Sequence, residues 1–221
     1  MLFYTEGANI HHLIVNNPAA NLKWLYSEGI DFDQTLLKNS LNLGYLRIEN
    51  NYMVVRLVAI FSFLAFSKYL ILNLIFSMIA FSGAWRLYRF FYEQYPHLHK
   101  QFAIAILYLP TFVFWTSGIL KDPLCIAAIG WITYALYETF YKKKNLLINA
   151  AIILLFGYLL YVIKVYILIS YVPFFAVYLV LKNVTLLKSR ILRLVVVVGI
   201  IISSMFTFTT VTEQLASTLV N

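Results

Sequence analysis

The chain has 221 residues, of which 62% are hydrophobic and only 12% charged; an ordinary soluble domain carries about 25% charged residues. A soluble fold of this size cannot bury that much apolar surface, so composition excludes a soluble globular enzyme, a secreted disulfide scaffold and a disordered chain, and leaves an all-α polytopic membrane protein. The net charge of +8 then reads as topology rather than as nucleic-acid binding, because basic residues gather on the cytoplasmic side of membrane proteins.

In chain order, residues 1–52 are the most polar part and read as an extracytoplasmic amphipathic segment. HHLIV (from His11) and NLKWLYSEGI (from Asn21) suggest short helices lying on a surface, with Trp24 and Tyr26 at headgroup level. Met53 to Phe66 is apolar except for Arg56. As a helix it would be roughly 21 Å long, short of a ~30 Å hydrocarbon core. It is read as a re-entrant or interfacial helix, with a short true span as the alternative. Tyr69–Phe91 crosses. Gln101–Leu120 crosses back, with Pro110 near its middle. Pro123–Tyr141 follows, and Pro123 suits a first helical turn. Leu146–Ile163 and Val165–Leu181 flank Lys164, and Ile191–Thr210 is the last span. The expectation is about six transmembrane helices in a domain covering 53–212, then a short extracytoplasmic tail at 213–221. Cys125 is the single cysteine, so no intramolecular disulfide forms.

Charge sorts these crossings. One set of loops holds Arg86, Arg89, Lys100, Lys142, Lys143, Lys144, Lys182, Lys188, Arg190 and Arg193 against only Glu93 and Glu138, which accounts for the whole net charge. That face is predicted to be cytoplasmic. Residues 1–68 and the tight turns at Lys121-Asp122 and at Lys164 then lie outside. A seventh crossing over 53–66 would bring the N-terminal segment inside and leave the rest unchanged.

The outer face carries the candidate chemistry. Lys121 and Asp122 sit between two apolar helices with almost no loop, and each charge costs about 2.5–3.5 kcal/mol at a bilayer centre, less near the interface. They suit the polar floor of an outward-facing cavity, with Lys121 on an anionic headgroup and Asp122 orienting it. The plain structural alternative is a solvated turn in which Asp122 caps the next helix. Lys164 stands alone in YLLYVIKVYILISYVP. It either snorkels to the headgroups or meets a phosphate on which negative charge develops. Arg56 suits bidentate phosphate binding or a structural ion pair. Glu6, in LFYTEGANIHH, is the candidate general base for an acceptor hydroxyl, against the plainer reading of an exposed surface turn. Adjacent His11 and His12 rarely point at one ion, and Asp31 and Asp33 lack a third ligand. The residues name no cofactor with certainty, and a divalent cation is left open. The chain contains no GxxxxGK[ST], GxGxxG, HExxH or nucleophile elbow, so an ATP motor, a dinucleotide enzyme, a zincin and a serine hydrolase gain no support.

Three stretches carry a family resemblance: NYMVVRLVAIFSFLAF, GAWRLYRFFYEQYPHLHK and ILYLPTFVFWTSGILKDPLCIAAIGWITYALY, the most specific part being residues 109–124. Together they resemble bacterial multi-pass membrane proteins related to C-type glycosyltransferases and surface-polysaccharide polymerases. The resemblance implies an enzyme of the bacterial cytoplasmic (inner) membrane that uses a polyprenyl-phosphate-linked sugar on the outer side. It implies a carboxylate base in the first outer loop, for which Glu6 is the early acid. Arg56, Lys121 and Lys164 would hold the phosphate and Asp122 would orient the site. The implied partners are the bilayer and the lipid-linked sugar, with no nucleic acid. Relatives carry a helix before that loop and continue past the last span, so a fragment of a longer protein is expected. The alternative is a non-enzymatic subunit of an export or transport complex with membrane-protein partners, or an inactive truncated product.

Overall fold

The computed structural model describes residues 2–26, 49–182 and 198. Asp31, Asp33, the expected span Ile191–Thr210 and the tail at 213–221 lie outside the described residues. Every regular element among the described residues is helical. Three helical stretches are long and apolar enough to cross a membrane: Tyr69–Gln94, Lys121–Lys142 and Leu146–Tyr178. The chain divides into two compact units, Met1–Ile163 and Lys164–Asn221.

The first unit opens with α1 (Leu2–Asn16), which buries Phe3, Glu6, Gly7, Ile10 and Ile14. These positions recur at helical spacing and form one stripe. Gly7 is required where α1 meets the next long helix, because an added Cβ would overlap the Val58 side chain. Asn17 ends α1 and Pro18 starts α2 (Pro18–Asn21), the position where a missing N–H costs nothing. A 3₁₀ turn, Leu22–Leu25, follows. Trp24 is only 1% exposed, and its carbonyl accepts from the Tyr52 hydroxyl at 2.7 Å. It is therefore a core residue, whereas the sequence places it at headgroup level; Tyr26, 74% exposed, keeps to the surface.

Helix α3 (Glu49–Ala65) covers the short apolar run and begins four residues ahead of it. It joins α4 (Tyr69–Gln94) through a turn in which Phe66 and Ser67 both have left-handed φ, 49° and 53°. Two non-glycine residues in that region cost roughly 1–2 kcal/mol each. Helix α1 holds this turn: the Tyr4 hydroxyl donates to the Ser67 carbonyl at 2.7 Å, and the Ser67 hydroxyl is bonded to His11 Nδ1 at 2.9 Å.

The expected crossing at 101–120 is two short helices rather than one. After a 3₁₀ turn at Pro96–Leu98, α5 (His99–Leu107) ends and α6 (Pro110–Thr116) begins anew. Leu109 is extended (φ −63°, ψ 119°), because the ring of Pro110 excludes the helical region for the residue before it. The chain then bends through 117–120 into α7 (Lys121–Tyr137), which tightens into a π-helical turn, Glu138–Lys142. Lys143 stops that turn with φ 52°.

Helices α4 and α7 run side by side in the same direction. Gly83 meets Ala127 and Gly130, Trp131 Nε1 donates to Ser82 Oγ at 3.1 Å, the rings of Phe90 and Tyr137 lie 5.4 Å apart, and Glu93 meets Lys142. An added Cβ at Gly83 would overlap the Ala127 backbone, and one at Gly130 would overlap the Gly83 carbonyl. Small residues let two backbones approach this closely, which is how apolar helices associate where burial from water supplies no drive. Parallel α4 and α7 require the segment between them, including α5 and α6, to climb back the length of α4. The broken pair therefore lies on the return path between the two parallel helices, and neither of its short helices is among the three stretches long and apolar enough to cross a membrane.

Helix α8 (Leu146–Lys182) has one non-helical residue inside it, Lys164 (φ −151°, ψ 76°). Leu160 and Ile163 are buried within the first unit. In the second unit Tyr171 and Phe175 stack at 5.6 Å, with Pro173 between them in sequence.

Candidate functional site

At the start of α7, a cleft of about 500 Å³ opens between α6 and α7, lined by Leu109, Thr111, Phe112, Trp115, Asp122 and Ile126. The break at Leu109 places the apolar residues of α6 along one wall. Among the described residues Asp122 is the only charged residue of the lining. It lies in the first turn of α7, where the helix end favours negative charge. It is not the N-cap, as its sequence position suggests; Leu120 holds that place in extended conformation. Lys121, half-buried, is the first residue of the helix. A neighbouring groove of about 250 Å³ lies against α4, where Ser77, Thr116 and Ser117 interrupt an apolar lining.

The other sequence-predicted residues lie elsewhere. Glu6 is 2% exposed on the face of α1 that buries against α3, not in a surface turn. Arg56 is buried on α3; it pairs with Glu49 at 3.0 Å and its guanidinium sits 4.5 Å from the centre of the Tyr52 ring. Neither lines the Asp122 cleft. Lys164 opens the second unit, half-buried at the break in α8. His11 is bonded to Ser67 and meets the Phe63 ring edge-on at 4.5 Å. Burial, and then the neighbouring His12, hold its pKa below the ordinary histidine value. No group of three metal-ligating side chains occurs among the described residues.

A second charged cluster, which sequence reasoning treats only as a basic loop, occupies the shared C-terminal end of α4 and α7. Lys142 Nζ lies 2.6 Å from Glu93 Oε2 and 3.9 Å from Glu138 Oε1. Arg89 pairs with Glu93 at 3.3 Å, and the Tyr134 hydroxyl donates to Glu93 Oε1 at 3.1 Å. Lys142 also donates to the Tyr134 oxygen at 3.3 Å. Above this network Arg86 rests on the rings of Trp131 and Tyr134, at 4.3 and 5.0 Å. The sequence does carry the signal: Arg89–Glu93 and Glu138–Lys142 are i,i+4 pairs, the spacing that brings charges together on a helix. What it lacks is the parallel pairing that joins the two. No protein-family model, curated protein or solved structure matches this chain.

Proposed function

We propose that the chain is a multi-pass protein of the bacterial cytoplasmic membrane that transfers or polymerises sugars from a polyprenyl-phosphate-linked donor on its outer side, for surface polysaccharide or glycoconjugate synthesis. The observation that carries the reading is the Asp122 cleft, with one carboxylate on a largely apolar and aromatic wall that Thr111 shares, and Lys121 beside it in sequence. An isoprenoid chain needs the apolar wall, and Trp115 offers a flat ring to a sugar. Asp122 takes the proton of the acceptor hydroxyl as that oxygen bonds to the anomeric carbon. The bond from this carbon to the phosphate oxygen breaks, and the lipid phosphate leaves with the electron pair. Lys121 meets its charge. Of the two candidate carboxylates, Asp122 takes the base role, because Glu6 is closed between helices; Arg56, paired with Glu49, belongs to the same packing.

The accompanying topology has six crossings, with residues 1–68 outside and the Arg- and Lys-rich end of α4 and α7 in the cytoplasm. It rests on the charge asymmetry of the loops and on the parallel course of α4 and α7. A non-enzymatic subunit is favoured by one observation, the burial of Glu6 away from any cleft. Membranes carrying the chain, supplied with a polyprenyl-phosphate-linked labelled sugar, separate the two. Asp122→Asn is expected to lower transfer by about 10²-fold or more, the usual worth of a positioned base, while Lys100→Met leaves it unchanged. Wild-type membranes without transfer, or undiminished transfer by a normally inserted Asp122→Asn, would overturn the enzymatic reading.

A further inference from the structure

Arg86 differs from the two cations of the ion-pair network at this end of α4 and α7. Arg89 and Lys142 are committed to Glu93, and Glu138 to Lys142. Arg86 is half-buried, yet among the described residues no carboxylate, carbonyl or hydroxyl accepts from it; its contacts are the rings of Trp131 and Tyr134. Lying over two rings gives a guanidinium no conventional hydrogen-bond acceptor, so its N–H donors stay available to a planar or tetrahedral oxyanion. The aromatic seat is itself held in place. The Trp131 ring stacks on Phe156 at 5.7 Å with an interplanar angle of 7°, and its Nε1 is bonded to Ser82 Oγ. The depth also fits: Arg86 lies roughly 25 Å along the helix axis from Tyr69, close to the headgroup level of a ~30 Å core. Exposed Lys143 and Lys144 add positive charge beyond the end of α7.

We propose that Arg86, seated on Trp131 and Tyr134, is a binding site for a phosphate group, that of an anionic phospholipid headgroup or of a soluble phosphate. Guanidinium and phosphate match through two parallel hydrogen bonds, and juxtamembrane cations attract anionic lipid. The site lies on different residues from the Asp122 cleft and does not depend on the sugar-transfer reading.

Native mass spectrometry of the detergent-solubilised full chain, titrated with phosphatidylglycerol or phosphatidylcholine, tests it. The wild type is expected to retain phosphatidylglycerol selectively. Arg86→Met is expected to lower that retention by roughly tenfold or more, the scale of a charge-assisted pair, and Lys100→Met to leave it unchanged. Arg86→Lys keeps the charge but loses the planar fork, so it serves as the second variant if Arg86→Met does not insert; an intermediate loss is expected. Inorganic phosphate, added to the chain in phosphatidylcholine vesicles, separates the sources. Heat protection that requires Arg86 assigns the site to soluble phosphate. Arg86-dependent retention of phosphatidylglycerol without such protection assigns it to lipid. Retention equal in wild type, Arg86→Met and Arg86→Lys, with no Arg86-dependent phosphate effect, overturns the proposal.

Discussion

His11, together with Tyr4, ties α1 to the α3–α4 turn through Ser67. Its pKa is lowered from 6.5 by burial first and by His12 second, so the folded state resists its protonation more than the unfolded state does. The sign follows from linkage: above pH 6.5 both states are neutral and stability is intact. As pH falls below 6.5 the unfolded chain takes up the proton first, and stability is lost until the lowered folded value is passed, after which it changes no further. The protection of α1 amides, taken as the exchange rate relative to the unstructured chain at the same pH, is therefore expected to fall as pH drops from 7 towards 5 in the wild type, and His11→Gln is expected to flatten that dependence. Tyr52 supports a second prediction. Its hydroxyl donates to the buried Trp24 carbonyl, so Tyr52→Phe should cost about 1–3 kcal/mol, the desolvation penalty of a buried polar group that loses its donor, read as a lowered midpoint of denaturant unfolding. At this scale the sequence shows which residues are chemically able and not where they sit. Glu6 and Asp122 are both carboxylates in apolar text; one is closed between two helices and the other lines a cleft.

Two elements depend on single residues. The α4–α7 contact exists because Gly83 and Gly130 have no Cβ. Gly83→Leu cannot be absorbed by a rotamer change, since the overlap is with backbone, and overpacking of this kind costs about 1–3 kcal/mol or more. The expected result is separation of α4 from α7, with loss of the Glu93–Lys142 pair, measured as reduced crosslinking between cysteines placed at 90 and 137. The α5–α6 break depends on Pro110. Pro110→Ala frees Leu109 to become helical, so spin labels at 103 and 115 should move towards the spacing of one continuous helix, and the wall of the Asp122 cleft should be reshaped with it. Helix existence was legible in the apolar runs, and Pro110 near the middle of 101–120 was visible. That it stops one helix and starts another was not, because proline within an apolar run kinks or breaks a helix according to what packs around it.

For the molecule as a whole, the measurable claim is sidedness. In the proposed topology, with α3 interfacial or re-entrant, three crossings separate residue 16 from residue 144, so cysteines at Asn16 and Lys144 should react with an impermeant reagent from opposite sides of the membrane; buried Cys125 should stay silent. Reaction from the same side would show that α3 crosses. The sequence by itself determined the helical, apolar character of the chain and the uneven distribution of its charge, since both follow from residue counts and spacing along one dimension. Only the tertiary structure decided that α4 and α7 run parallel with their backbones in contact, that Trp24 and Glu6 are interior, and that Arg86 rests on two rings away from the acids that occupy its neighbours. Those facts depend on which faces of separate helices meet. In a chain this uniformly apolar, nearly every face is hydrophobic enough to be buried, so the pattern of hydrophobicity does not choose among them; the choice falls to a few glycines, a proline and the fit of charged groups across a contact.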